Sequence, residues 1–242
     1  MFVRRHSSLR FGLSTREGEF SSEPYGMNVS FRVGDDPEHV RRNREAFFKL
    51  VGCAEDQIAI PVQCHSSHVM FADGAGSYID VDGLVTDRRD LFLAVTVADC
   101  VPIFLFDPSK RAIGVIHAGW KGSAAGIITC AVAKMREHFH SRPEDLFAHL
   151  GASARRCCYA VGEDVAGQFR SEVIHRREGA MYLDLVAENI RQLVESGCRS
   201  ENIETSEWCT ICAPHVFHSY RRDGHRSGRM MGILGIISEK GD

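Results

Sequence analysis

The sequence predicts a mixed-sheet α+β fold, and three observations carry that prediction. Short β-branched and aromatic runs crowd the middle of the chain. Helical patterns fall between and around them without strict alternation, where a doubly wound parallel sheet would need a helix after nearly every strand. Turn-forming Asp, Gly and Pro separate the runs, with 22 glycines and 7 prolines in 242 residues. A chain of this length buries a full core without covalent or metal staples. No repeat, low-complexity stretch or Pro/Ser/Gly linker divides it, so residues 1–242 read as one domain.

The elements follow in order. Asp36-Pro37 is an N-cap with proline at the first helical position, and the helix it opens carries Val40, Phe47, Phe48 and Val51 on one face as far as Gly52. Strands are predicted at 58–62, 69–72, 84–86, 91–97, 103–106 and 112–116. A second helix starts near Ser123 and turns Ile127, Ile128, Val132 and Met135 inward. Residues 146–150 read as a strand and 163–170 as a short helix. The helix 184–196 has Asp184 as its N-cap and Gly197 at its end, and 230–237 is an apolar strand.

Composition excludes several classes of function. Lys and Arg total 29 against 32 Asp and Glu, a formal −3, so no basic excess draws the chain to nucleic acid or anionic lipid. The longest apolar stretch, 91–106, is too short to span a bilayer and contains Asp99. Arg4, Arg5 and His6 precede no apolar segment, so no secretory signal is expected. The expectation is a cytoplasmic protein, with its nine cysteines mostly buried free thiols.

Three segments place a good metal ligand at a strand end beside tight-turn residues: Gln63-Cys64-His65, Ala98-Asp99-Cys100-Val101-Pro102 and His117-Ala118-Gly119-Trp120-Lys121-Gly122. Cys100 falls between two apolar runs, where Pro102 opposes a continuous ladder. His65, Cys100 and His117 form a donor set suited to Zn²⁺, and three protein ligands leave a fourth position for water whose pKa falls to roughly 7. Asp99 is placed to orient a ligand histidine. Spacing alone leaves this open against a buried thiol and two hydrogen-bonded histidines. Cys209-Thr-Ile-Cys212 is the only CxxC. No second CxxC completes a Cys₄ set, and Cys157-Cys158 are neighbours expected to point apart, so buried thiols are favoured there. Lys121, with the helix start after Gly122, and the arginines of 221–229 offer anion sites, a solvated charged turn being the alternative.

Taken together, these segments resemble the multicopper polyphenol oxidoreductase (laccase-domain) family, described also as zinc-dependent purine nucleoside phosphorylases and including peptidoglycan editing factors. The likeness rests on Thr15-Arg16-Glu17-Gly18, Asn28, Gly34-Asp35, Asn43-Arg44, Gln63-Cys64-His65, Asp82-Gly83-Leu84-Val85-Thr86, residues 96–102, His117 to Gly122, Cys209-Thr210, Phe217 to Gly224 and Gly228-Arg229. The chain departs from the pattern at Gly151-Ala152-Ser153, where Gly-Pro is usual, and at Glu19, where a second glycine is common.

The resemblance implies a four-layer α/β/β/α sandwich with mixed sheets and a catalytic zinc on His65, Cys100 and His117. It implies phosphorolysis of adenosine, inosine, guanosine and methylthioadenosine, and deamination of adenosine. The partners are then purine nucleosides and phosphate, with no nucleic acid or membrane, and Arg44, Lys121, Arg222 and Arg229 are the phosphate candidates. Copper is the alternative metal, since a His₂Cys set accepts it by ligand type. A multicopper polyphenol oxidase needs several histidine pairs, however, and this chain has only His138-Phe139-His140. Two rival functions are a cysteine hydrolase with Cys100 as its nucleophile and an enzyme that edits peptidoglycan precursors.

Overall fold

The computed structural model of the chain describes the backbone of residues 2–5 and the whole of residues 8–238. The basic side chains Arg4, Arg5 and His6 lie outside the described residues. The first half comprises β1 (Phe2–Arg5), β2 (Leu9–Leu13), α1 (Pro37–Val51), β3 (Ile58–Val62), β4 (Val69–Phe71), β5 (Gly76–Ile79), β6 (Gly83–Thr86), β7 (Phe92–Val97), β8 (Val101–Asp107) and β9 (Ala112–Ala118). The second comprises α2 (Trp120–Ala124), α3 (Ile127–Phe139), β10 (Phe147–Leu150), β11 (Ala160–Val161), α4 (Glu163–Ala166), β12 (Ile174–Arg177), β13 (Ala180–Leu183), α5 (Leu185–Glu195), β14 (Ile203–Thr205), α6 (Tyr220–Asp223) and β15 (Met230–Ile236).

Two six-stranded mixed sheets dominate, ordered β1-β2-β15-β7-β3-β5 and β14-β10-β8-β9-β6-β4, with a small sheet β11-β13-β12 beside them. In the first, β3 pairs parallel with both β5 and β7 while the other pairings are antiparallel. In the second, β4 joins β6 and β14 joins β10 in parallel. Leu93, Val95, Val97 and Leu234 of the first sheet meet Leu84, Phe104, Ile113 and Val115 of the second in a shared core. The outer face of the first sheet is covered by Phe47, Phe48 and Val51 of α1, and that of the second by α3 and α5 through Ile128, Val132, Met135 and Leu193. The layers are therefore α/β/β/α, as the family resemblance implies. Strands covered on both faces read as continuous apolar runs, which is why β9 and β15 are buried at every position.

Helix α1 keeps its predicted caps. The Asp36 carboxylate accepts from the Glu38 N–H at 2.7 Å, and Gly52, at φ +90°, donates to the Phe48 carbonyl. The helix expected near Ser123 is two helices, because Gly126 at φ +78° breaks it and α2 already begins at Trp120. Pro102 lies inside β8 rather than interrupting it. It is the second residue of the strand, where β10 has not yet joined the ladder, and its carbonyl accepts from the Gly151 N–H at 2.9 Å. Strands β2, β5, β12, β13 and β14 have half-exposed or exposed positions and too little apolar patterning to be seen in the sequence.

Candidate metal centre

The two inner sheets bring the three predicted ligands to one end of the molecule. In the second sheet, Val101 pairs with Ala118 and Pro102 with His117, so Cys100, one residue before β8, lies beside the end of β9. His65 comes from the first sheet, in the loop after β3. Gln63 fixes that loop by extending the ladder with its side chain: it donates to the Thr96 carbonyl at 2.8 Å and accepts from the Thr96 N–H at 2.9 Å. The donor atoms of His65, Cys100 and His117 lie within 4.8 Å of one another. The two imidazoles stand at 80° with centroids 4.9 Å apart. His117 is buried, Cys100 half-buried and His65 exposed, so the set is rigid at the back and open at the front. His65 at φ +63° and Asp99 at φ +89° hold left-handed backbone in the two ligand loops. For non-glycine residues that conformation is costly and concentrates at functional sites.

Asp82, immediately before β6, organises the centre. Its buried carboxylate meets His117 Nδ1 at 2.8 Å. It also accepts the backbone N–H groups of Cys64, His65 and Ser66 at 3.2, 3.0 and 2.6 Å, and the Ser66 hydroxyl at 2.9 Å. One anion thus aims the ring of one ligand and shapes the loop that carries another. Burial alone would raise the Asp82 pKa, but the His117 ring and the Ser66 donors hold it well below the usual carboxylate range. Burial would likewise push Cys100 up and His117 down, yet their mutual attraction prevails. With help from His65, Cys100 falls to about 6, and with help from Asp82, His117 rises to about 9. The sulfur is therefore disposed to be a thiolate, the form that ligates metals. Gly119 leaves room for the cluster: a Cβ there would stand 2.9 Å from His65 Cδ2 and 3.1 Å from Cys100 Sγ.

The remaining candidates fall elsewhere. Asp99 takes the Thr210 hydroxyl and the Arg221 N–H, each at 2.6 Å, so the orienting role expected of it belongs to Asp82. Arg222 spends its guanidinium on the carbonyls of Thr210, Ile211 and Phe217 and on Asp223. Arg44 holds the Val29 carbonyl at 2.8 Å and lies 4.5 Å over the Phe31 ring. Lys121 is exposed, 5.5 Å from the Trp120 ring, on an open depression of about 530 Å³ that also includes Gln168. Arg229 uses Nη1 on the Ser227 and Gly228 carbonyls and sits 5.4 Å over the Tyr220 ring. Burial lowers the Arg229 pKa, against the nearby Cys100 sulfur and the Asp99 carboxylate.

Sequence reasoning gives no role to Asp82, although its segment belongs to the family pattern, nor to Tyr159, and it counts Arg221 only among the arginines of 221–229 that offer an anion site. The Arg221 guanidinium lies 5.1 Å over the Tyr159 ring. Burial and the nearby Cys100 push the Tyr159 hydroxyl up to about 12. These groups are near the centre only through the tertiary fold.

The cysteines differ from expectation. Only Cys198 and Cys209 are buried, and the four sulfurs of Cys157, Cys158, Cys209 and Cys212 converge within 4.8 Å of one another. Adjacent side chains diverge on extended backbone. Cys157 and Cys158 lie instead in a turn, where the Cys158 and Tyr159 N–H groups both donate to the Arg155 carbonyl at 2.9 Å. Among the described residues, these two sets are the groups of three or more His, Cys, Asp or Glu poised to hold a metal. His138 is stacked on Phe71 at 5.2 Å, and His140 caps α3 at φ +55°.

A family model described as multi-copper polyphenol oxidoreductase laccase matches residues 10–237. The chain belongs to this family. Its relatives include the purine nucleoside phosphorylase of Deinococcus radiodurans, 38% identical over 94% of this chain and 89% of that protein. The purine nucleoside phosphorylase YlmD of Bacillus subtilis is 33% identical over 93% and 87%. The crystal structure of YlmD from Geobacillus stearothermophilus superposes with a TM-score of 0.91 at 30% identity, covering 96% of this chain and 93% of that one. The family's description speaks of copper, whereas these relatives are named for phosphorolysis. No helix among the described residues is long and apolar enough to cross a membrane.

Proposed function

We propose that the protein is a zinc-dependent purine nucleoside phosphorylase of the cytoplasm. Its substrates would be adenosine, inosine, guanosine and methylthioadenosine, with hydrolytic deamination of adenosine at the same centre. The observation that carries this reading is the convergence of His65, Cys100 and His117 on one open point, in a chain whose relatives at 33 and 38% identity are named purine nucleoside phosphorylases. Two imidazoles and a thiolate fit zinc by donor type and number, and Gly119 clears the space they share. When bound, zinc supplies Lewis acidity with a position left for a substrate oxygen or water.

The chain's own residues do the rest. Asp82 holds His117 by Nδ1, leaving Nε2 as the nitrogen for the metal. Cys100 completes the donor set as a thiolate. In phosphorolysis, a phosphate oxygen attacks C1′ of the ribose, the C1′–N9 bond breaks with its electron pair going to the purine, and a proton neutralises the leaving base. The phosphate needs cations that are not already committed. Arg222 commits all three of its nitrogens to protein acceptors, and Arg44 is held by the Val29 carbonyl, Glu55 and the Phe31 ring, so we assign this role to Arg221 and Arg229. Arg229 keeps Nε and Nη2 without a protein partner among the described residues, beside Cys100. The buried Tyr159 ring, covered by Arg221, would form a wall of the nucleoside site.

His117→Ala should abolish phosphorolysis, deamination and the zinc held at this centre together. Full turnover in that variant would overturn the proposal. One geometric feature favours a second reading, a cysteine hydrolase, because Cys100 and His117 are paired as a nucleophile and base would be. Alkylation of Cys100 separates the two: protection by bound zinc supports the metal centre, whereas rapid modification of the zinc-loaded protein supports the nucleophile.

A further inference from the structure

The four-cysteine cluster stands apart from the chemistry assigned above. Its members come from two turns separated in sequence, Cys157-Cys158 ahead of β11 and Cys209-Thr-Ile-Cys212 after β14. We infer that Cys157, Cys158, Cys209 and Cys212 form a second, structural Zn²⁺ site with four thiolate ligands, holding the 209–212 turn against the 155–158 turn.

Geometry is the first support. Zn–S bonds of about 2.3 Å in a tetrahedron place neighbouring sulfurs roughly 3.8 Å apart. Here Cys212 Sγ lies 3.6 Å from Cys157 Sγ and 3.0 Å from Cys158 Sγ, and all four sulfurs fall within 4.8 Å of one another. A disulfide would use two of them and leave unexplained why the other two converge on the same point. Exposure is the second support. Cys157 and Cys212 are exposed and Cys158 is half-buried, so core packing does not account for the grouping. Apolar burial is the usual fate of a free thiol that does nothing.

The backbone gives the third support. The N–H groups of Cys212, Arg155 and Ile211 face Cys209 Sγ. Amides aimed at a sulfur stabilise its thiolate and hold it in a ligating rotamer. On binding Zn²⁺ the four thiols release four protons, and the resulting centre carries two negative charges. Arg177 lies close enough to share them, with Nη2 donating to the Cys157 carbonyl at 3.0 Å.

The position gives the site a consequence. Thr210, inside the Cys209–Cys212 turn, donates its hydroxyl to Asp99 beside Cys100, and its N–H to the Ser153 carbonyl at 3.0 Å. Arg222 holds the Thr210 and Ile211 carbonyls. A metal that fixes the cysteine turn therefore also fixes one side of the His65, Cys100 and His117 centre.

The test is zinc content by mass spectrometry on protein purified under reductant without added metal. Two zinc ions per chain are expected in the wild type, one in His117→Ala and one in Cys209→Ser/Cys212→Ser. If the cysteine variant does not fold, His117→Ala carries the test alone, because its cluster is intact. Its remaining zinc should give, after exchange for Co²⁺, the strong thiolate-to-metal absorption of a four-sulfur tetrahedral site. Removing that ion with a chelator should expose four thiols to alkylation and lower the melting temperature. No zinc in His117→Ala would overturn the inference, as would iron in place of zinc, a disulfide within the cluster, or free alkylation before chelation.

Discussion

Asp82 shows how one residue can tie together two parts of a candidate site. Its carboxylate binds the ring of His117 and three successive N–H groups of the His65 loop. The isosteric Asp82→Asn keeps the volume but loses the charge and one acceptor, so His117 loses the partner that fixes its ring. Zinc affinity at the centre should fall by about 10–100-fold, the usual effect of removing such a partner. Competition with a chromophoric chelator measures it, and an unchanged affinity would mean that Asp82 only supports the loop. That His65, Cys100 and His117 come together is legible because histidine and cysteine at strand ends are chemically conspicuous. Asp82 is not, because an aspartate before a glycine is an ordinary turn former, and its role depends on pairing across 17 and 35 residues. Asp99 is the tempting choice through adjacency to Cys100, yet its oxygens face Thr210 and Arg221.

At the scale of elements, the helices and buried strands are legible and the connections are not. Periodicity and capping residues mark α1 and α5 at both ends, since Asp36 and Asp184 each accept a first-turn N–H. Helix α1 also anchors loop structure through Asn43. Its buried side-chain amide donates to Ser21 Oγ at 2.9 Å, Gly26 O at 3.1 Å and Asn28 O at 2.8 Å. Asn28 in turn accepts the Arg229 N–H at 2.9 Å, so the helix, the 21–30 loop and the start of β15 are joined. Asn43→Ala should cost about 1–3 kcal/mol, the penalty of stranding buried acceptors. Urea unfolding reads this as a lower midpoint at unchanged slope; a loss below about 0.5 kcal/mol would be that of an ordinary surface substitution. The vicinal Cys157-Cys158 pair defeats sequence reasoning for a different cause. Neighbouring side chains point apart on a strand, but here the backbone turns.

For the whole molecule, two mixed sheets packed face to face bring β3 from one sheet and β8 and β9 from the other to a common end, and the candidate metal centre lies at that end. The same packing encloses His218, which is fully buried with neither ring nitrogen hydrogen-bonded. Burial, with Arg16, Arg229 and Arg222 facing it and only Asp223 opposing them, lowers its pKa to about 3. The ring is ordinary in the unfolded chain, at about 6.5. Between these values the unfolded state binds a proton that the native state refuses, so stability is full above about pH 6.5 and falls as pH drops toward 3. His218→Phe should flatten that fall, read as a smaller change in urea midpoint between pH 7 and pH 5 than in the wild type. Equal changes in both proteins would remove His218 from the acid response.

We propose that the open His65, Cys100 and His117 centre serves purine nucleoside phosphorolysis. The most direct measurement follows adenosine incubated with and without inorganic phosphate, using protein whose zinc content has been determined. The expected result is adenine and ribose 1-phosphate in equal amounts, formed only with phosphate. Fully zinc-loaded protein that releases no adenine from adenosine, nor free base from the other purine nucleosides, would rule out phosphorolysis at this centre.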